Sequence, residues 1–555
     1  MPHGCNENAS GKCSEAEGIG TVASGDGSHA EGCNTRASGK CSHAEGSNSI
    51  ASNFGAHAEG IGGTASGIAA HAEGFNTTAS GDESHAEGKG TIASGLISHT
   101  EGLLTTATQL AAHAEGISTT AGGRASHAEG ESTTASGNAA HAEGENTTAS
   151  GTASHAEGSN TEAREIASHA EGSSTVASRF ASHAEGRGTE ARGFASHAEG
   201  SSTVASGNDS HAEGRGTEAI GIASHSEGNS TEARGFASHA EGSLTLAIGN
   251  DSHAEGRSTS AHGDSSHAEG FGTSTSGIAS HAEGNLTSAF GDASHAEGFR
   301  TIANGNLSHT EGSNTCAGLL VGAHVMGTNG SPNPAVDLPF SWYLVNGVVP
   351  CDITGVVAKI LSNGSACFDS SVTASAFNIA AGACDFAEMF ETADGQPIDA
   401  GFFVTFDGDS ETIRKATSND DYILGVTSSN PAILADLEDP GCSKFVFDEW
   451  SRKQYHEVVI PSVTDGEGNI IIPERTEVRP KINPYWDPNQ KCKTRRDMPN
   501  WVAVGLIGKL LLHDDGTCRA GGYCKPNDDG IATASGSGYR VMKRTGNNQI
   551  LVLIK

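Results

Sequence analysis

Ser28-His29-Ala30-Glu31-Gly32-Cys33-Asn34-Thr35-Arg36-Ala37-Ser38-Gly39-Lys40-Cys41 is followed at once by Ser42-His43-Ala44-Glu45-Gly46, and the same phrase keeps returning. A histidine stands at every fourteenth position from His29 to His309, 21 of the chain's 26 histidines, with no insertion or deletion. Glu15 takes the histidine place one unit earlier, and Gly4, Ala9, Gly11 and Ser14 hold the phase back to the first residue. Residues 1–322 are thus 23 units of one supersecondary element, which predicts a stacked array rather than a globule. Within a unit, Ser-His-Ala-Glu-Gly and Thr-x-Ala-x-Gly alternate with period two. Pairs such as Ser47-Asn48 and Ser159-Asn160 suit the tight turns between them. Two strands and two turns in fourteen residues describe one coil of a parallel β-solenoid. Two glycines per unit and no 3.6-residue apolar stripe argue against a helix.

Alternation assigns faces. Ser28, Ala30 and Gly32 are expected to point inward with Thr35, Ala37 and Gly39, since only small side chains fit a narrow coil. His29 and Glu31 then point outward with Arg36 and Ser38. Position eight changes freely (Val22, Arg36, Ile50, Glu162, Leu246), whereas the His and Glu columns hardly vary, so they are expected to face something that also repeats.

Composition divides the chain in two. All four Trp and all six Tyr lie after residue 340, and every proline but Pro2 lies beyond 330. The expected divisions are a repeat rod over 1–322, a β-rich connector over 323–383 and a C-terminal domain over 384–555. The formal charge of −34 is spread along the repeats, which disfavours nucleic acid and anionic membranes as partners. No apolar run is long enough for a membrane span, and Met1-Pro2-His3-Gly4 is no signal peptide. Cys5 and Cys33 share a repeat position, as do Cys13 and Cys41. Two coils apart, about 9.6 Å at strand spacing, each pair is too distant for a disulfide within one chain.

A coil filled with Ala, Ser and Gly buries little apolar area against its chain entropy. Three chains around an axis would supply the rest, each His–Glu strand meeting a neighbour's with charge-assisted pairing. Such a seam predicts collective titration and stability that changes between about pH 4 and 7. A metal-binding His–Glu array is the competing reading of the same columns.

The Ser-x-Ala-x-Gly pentad on a fourteen-residue period resembles the left-handed parallel β-roll of trimeric autotransporter adhesin heads. Here His and Glu occupy the x positions, which are usually aliphatic in that family. The resemblance covers 1–322 and implies an all-β, left-handed, homotrimeric roll. It carries over no receptor, and the membrane anchor of those adhesins is missing.

After the array, Trp342-Tyr343-Leu344-Val345 and Val356-Val357-Ala358-Lys359-Ile360-Leu361 read as strands before Asn-Gly turns. A closing hairpin is expected around Gly546-Asn547-Asn548. Between them lies Asp385-Phe386-Ala387-Glu388-Met389-Phe390-Glu391. One reading of this cluster is a strand or short helix with solvated carboxylates. The other is a carboxyl pair, one member acting as base on a water or hydroxyl and one as acid to a leaving amide.

Four segments in order carry a second resemblance: Asp385–Glu391, Asn419-Asp420-Asp421-Tyr422-Ile423-Leu424-Gly425, Trp501-Val502-Ala503-Val504-Gly505-Leu506-Ile507-Gly508-Lys509 and Gly522-Tyr523-Cys524-Lys525-Pro526-Asn527-Asp528-Asp529-Gly530-Ile531-Ala532. Together, across roughly 384–555, they resemble the intramolecular chaperone autoprocessing domain that ends phage neck-appendage proteins and related viral fibres. That resemblance implies a trimerising chaperone that folds the preceding fibre and then cuts itself free by a glutamic-peptidase-type reaction. It points to Glu388 and Asp385 as catalytic candidates, with Glu391 third. Cys384-Asp385 is the expected scissile bond, with Ser370, Ser371, Ser375 and Gly382-Ala383 as alternatives; Cys384 departs from the family's Ser. Asp420 and Asp421 read as turn residues. No cofactor and no metal is expected at this site. His262, His324, His456 and His513 fit no ligand spacing, and Lys491, Lys493, Arg495 and Arg496 read as a solvated loop.

The expected protein is a homotrimeric viral or surface fibre, on a virion or extracellular surface, with a host receptor as a possible partner. The alternatives are an uncleaved structural adhesin and the metal array.

Overall fold

The computed structural model describes residues 6–372, 384–437, 442–464, 470–490 and 493–555. It forms two compact units, 1–332 with 338–365, and 333–337 with 366–555. No α-helix occurs among the described residues.

The first unit is the expected parallel β-solenoid. Each fourteen-residue repeat contributes a strand that begins at the histidine and a two-residue strand such as Arg36–Ala37. Each strand pairs in parallel with the equivalent strand of the next repeat, as in His127↔His141, Ala128↔Ala142 and Glu129↔Glu143. Hydrogen bonds step from coil to coil, for example His29 N–H to Ser42 O at 2.9 Å and Arg36 N–H to Ser49 O at 2.8 Å. Sequence identity at every fourteenth residue is therefore spatial contact. The interior is a column of alanines without solvent exposure, among them Ala30, Ala37, Ala44 and Ala51. Beside it, Ser28 and Ser42 donate their hydroxyls to Gly25 O and Gly39 O at 2.7 Å.

Gly32 departs from the expected inward face. Alternation ends at Glu31, and Gly32 is exposed with φ +103. A Cβ there would lie 2.1 Å from Gly46 O in the next coil. The invariant glycine of the pentad is thus a corner where adjacent main chains touch, and no side chain fits. Two further corners place L-residues at positive φ, Asn34 and Cys41 in one coil and Asn48 in the next. Their N–H groups reach back one coil: Asn34 N–H to Ile19 O at 2.7 Å and Cys41 N–H to Asp26 O at 2.8 Å.

Outside, the imidazoles stack face to face from His29 to His309, with centroids 4.9 Å apart for His29–His43 and 4.5 Å for His169–His183. Nε2 of most rings lies near its own chain's carboxylates, 3.4 Å for His141–Glu143 and 4.0 Å for His43–Glu45. The His–Glu partnership is thus already present within one chain. His71, Glu73 and His85 bring their ligating atoms within 4.8 Å of one another. Yet their rings are parallel to within 2°. Stacked imidazoles direct their in-plane lone pairs side by side rather than at one ion, so the geometry favours proton sharing over chelation.

The stack continues past the composition change near Gly322. His324–Thr328 pairs in register with His309–Ser313, and Trp342–Asn346 pairs with His324–Thr328, both in parallel. His324 extends the histidine column at 4.5 Å and accepts or donates a 3.3 Å hydrogen bond with Glu311. Trp342 covers its ring at 4.4 Å. Inside, alanine gives way to Val325, Tyr343 and Val345, and Val356–Ile360 pairs with Trp342–Asn346 in antiparallel. Cys316 and Cys351 form a disulfide, while Cys13, Cys33 and Cys41 are free.

Burial and the adjacent rings lower the proton affinity of histidines such as His127, His169 and His225. Hydrogen bonds between neighbouring carboxyls push Glu87 and Glu115 up to about 7, and hold Glu101 between them below the usual range. Charges one coil apart cannot all ionise, so in this stretch protons favour Glu87 and Glu115 over Glu101 between them. The histidine contribution to stability is complete above about pH 6.5 and lost as pH falls through the lowered native values. The raised carboxyls contribute most below about pH 4.5 and lose that contribution as pH rises through about 7. Glu87→Gln with Glu115→Gln is therefore expected to make the melting temperature fall more steeply on acidification below about pH 6.5, because two of the carboxyl contributions that oppose the histidine effect are removed. Circular dichroism melts across that window check this; an unchanged profile would contradict proton sharing. Gly144→Ala, at φ +108 with a Cβ 2.0 Å from Gly158 O, is expected to destabilise the rod by about 1–3 kcal/mol or more. Ser136→Ala, on the exposed surface, is expected to leave it unchanged.

Candidate functional site

The core of the second unit is its largest sheet, beside which lie two two-stranded sheets. The order of the largest sheet is Ile413–Lys415, Phe403–Phe406, Gly425–Thr427, Trp501–His513, Gln549–Ile554, Tyr539–Gly546, Tyr523–Pro526 and Ala532–Ser535. The final hairpin forms where Gly546-Asn547-Asn548 predicts it. Phe403, Val426, Leu510, Leu512, Val541 and Ile550 fill the core.

The acidic cluster is a strand, Asp385–Glu391, inserted between Ile433–Ala435 in parallel and the first half of Trp501–His513 in antiparallel. Its burial alternates: Asp385, Ala387 and Met389 are buried, while Phe386, Glu388 and Phe390 are half-exposed on the other face. Asp385 is 6% exposed, and its Oδ2 finds no hydrogen-bond partner among the described residues. It borders a cavity of about 160 Å³ with Ser428, Ser429, Asn430 and Lys509. Glu388 instead lines a cavity of about 360 Å³ with Phe406, Glu411, Asp436 and Arg495. Glu391, exposed at the strand's end, accepts a 2.8 Å hydrogen bond from Asn500 Nδ2.

Two residues three apart on a strand lie on opposite faces. A single chain therefore leaves Asp385 and Glu388 on opposite faces and does not assemble that pair, while Glu391, exposed where the strand ends, reaches the cavity that Glu388 lines. Cys384 is exposed immediately before the strand. Ser370 and Ser371 are described, whereas Ser375, Gly382 and Ala383 fall outside the described residues, as does Lys491. The polar run Ser428-Ser429-Asn430 was missed by motif reading. Its only sequence signal is a cluster of small polar residues between a strand and Pro431.

Asp420 has the turn role expected of it. Arg414 grips it with two bonds of 2.9 and 2.8 Å, and Thr417 adds its N–H at 2.6 Å and its hydroxyl at 3.0 Å. The Arg414 guanidinium holds its carboxyl far below the usual range. Arg495 of the basic stretch is likewise structural, paired with Asp436 and lying over the Trp501 ring at 4.2 Å. Asp420→Asn is expected to destabilise this unit by about 1.5–3 kcal/mol in urea unfolding at neutral pH. The wild type is expected to lose the same stabilisation only in strong acid, as pH falls through the depressed native value.

Residues 353–549 match the family model described as Peptidase_G2, IMC autoproteolytic cleavage domain. The chain is 32% identical over 154 residues to the pre-neck appendage protein of Bacillus phage B103, covering 28% of this chain and 16% of the relative. It is 29% identical over 182 residues to that of Bacillus phage phi29, covering 31% and 19%. It is also 32% identical over 166 residues to the putative phage-related protein YobO of Bacillus subtilis (strain 168), covering 29% and 19%. The chain thus spans less than a fifth of the length of these relatives. Among solved structures, the C-terminal fragment of phage phi29 gene product 12 is 28% identical and covers 31% of this chain and all of the fragment, with a TM-score of 0.25. Residues 353–549 thus resemble the Peptidase_G2 IMC autoproteolytic cleavage domain, and the match begins where the N-terminal β-solenoid of repeats ends.

Proposed function

We propose that the chain is a phage-type appendage fibre whose repeat array forms a homotrimeric rod on the virion, and whose C-terminal domain assists trimer folding and then releases itself. The observation that carries this reading is the match of residues 353–549 to an autoproteolytic cleavage domain directly behind a solenoid. That solenoid needs assembly help: its core is a column of alanines, with too little apolar area to offset ordering many coils alone. A second and third copy laid on the His–Glu face would add burial where polar columns already repeat at the coil spacing. A host surface receptor is the expected partner of the finished fibre.

In this reading the Cys384–Asp385 bond is cut. Glu388 serves as the base that activates water, and Asp385 passes a proton to the departing amide nitrogen. Asp385 and Glu388 lie on opposite faces of one strand, so the carboxyl pair is completed between copies. Glu391, held by Asn500, fixes the end of the strand that carries Glu388.

On a denaturing gel the purified protein is expected to give a C-terminal fragment of about 19 kDa that begins at Asp385; only full-length chains would remove the claim. Glu388→Gln is expected to leave the chain uncut. Co-expressing Glu388→Gln chains with tagged chains whose Asp385 is replaced by Asn tests completion between copies. Restored cleavage of the Glu388→Gln chains is expected. Complete absence of cleavage in mixed assemblies, with each parent folded, would contradict it.

A further inference from the structure

We propose that the backbone N–H of Lys509, kept within reach by Gly508, is the oxyanion donor for self-cleavage. This rests on the reading of Cys384–Asp385 as the scissile bond. Lys509 N–H donates to the carbonyl oxygen of Cys384 at 3.2 Å, so the carbonyl that must carry negative charge already faces a fixed donor. A ladder bond of this kind ordinarily only joins strands. Here it is aimed at the one carbonyl whose carbon is attacked, and it is longer than the 2.9 Å bond by which Ala432 N–H holds the next carbonyl, Asp385 O. A contact of this length can tighten as charge builds on the oxygen.

Gly508 sets the approach. It has φ +126, and a Cβ would fall 2.3 Å from Cys384 O and 2.7 Å from Asp385 Cα. Any side chain there would push the bond away from the donor. Gly508 is also the point where the long strand changes partners, pairing with Asp385 on one side and Ile554 on the other. Leu510 and Leu512, buried just beyond it, anchor the strand in the core. The donor is thus preorganised before reaction rather than recruited during it. The cavity of about 160 Å³ bordered by Asp385, Ser428, Ser429, Asn430 and Lys509 leaves room for water beside the bond.

The step is a hydrolysis without redox change. Water oxygen bonds to the Cys384 carbonyl carbon, and the carbonyl π pair moves onto oxygen, where Lys509 N–H meets it. The proton lost by water goes to the carboxylate base. When the intermediate collapses, the oxygen pair re-forms C=O and the C–N bond breaks. The nitrogen of Asp385 takes a proton and leaves as an amine, and Cys384 ends as a carboxylate.

The test uses the full chain with Lys509 replaced by its α-hydroxy analogue, which turns this one N–H into an ester oxygen and keeps the side chain. A His513 α-hydroxy analogue, which deletes the 2.9 Å bond to Gly401 O in the same strand, controls for loss of a sheet bond. Cleavage is followed as a single turnover on gels, with melting temperature as the measure of folding. The Lys509 ester is expected to cleave about 100- to 1000-fold more slowly while melting like the His513 ester, whose cleavage rate stays near wild type. Gly508→Ala is expected to slow cleavage as well. A Lys509 ester that cleaves at the wild-type rate, or a His513 ester that is equally slow, overturns the proposal. If the wild-type fragment begins elsewhere than at Asp385, the bond assignment fails and the proposal fails with it.

Discussion

Each coil of the rod rests on one neighbour at the spacing of hydrogen-bonded strands, and everything outside and inside the coil must tolerate that spacing. Inside, only alanine, serine, threonine and glycine fit. Outside, like side chains come to lie on one another, imidazole on imidazole at 4.8 Å for His43–His57. Such a column cannot be fully charged. The lowered histidines and the alternation of raised and lowered carboxyls are direct consequences, and a strictly repeated sequence is what the spacing selects.

The same spacing explains the division of labour along the chain. A narrow coil gains hydrogen bonds and contacts only with its neighbours, so it has no large core to organise it. The C-terminal unit has one, built from Phe403, Leu512, Ile550 and their neighbours. An ordinary globular core therefore follows an array that lacks one, and in the proposed fibre it supplies the assembly step that the array cannot supply for itself. The long strand Trp501–His513 does two jobs in that unit. Its second half is anchored in the core, and its first half presents rigid backbone to the acidic strand.

Much of this was legible in the residues. A period of fourteen without gaps gives the coil, and period-two alternation gives the alanine interior. Gly32 was misplaced because alternation was extended one residue too far, into a corner whose positive φ no pattern displays. The corner at Cys41 was equally hidden, since later coils put Ala69 or Ala125 at the same positive-φ position, and alanine is not a turn residue by preference. His324 reads as an isolated histidine and Trp342–Val345 as a strand outside the array, because steps of fifteen and eighteen residues break the count while keeping the stack. At the site, the acidic strand and the turn role of Asp420 were readable. The separation of Asp385 from Glu388 was also implicit in their spacing, three residues on a strand. What Gly508 does was not legible, because it depends on which strand the chain lays against it.

The central claim is that copies of the chain share the polar columns as a seam. An electron cryomicroscopy map of the native rod tests this most directly. The account predicts three solenoids about one axis, with the columns running through His141 and Glu143 turned toward neighbouring chains. A rod with those columns facing solvent, or a single unpartnered solenoid, would contradict it.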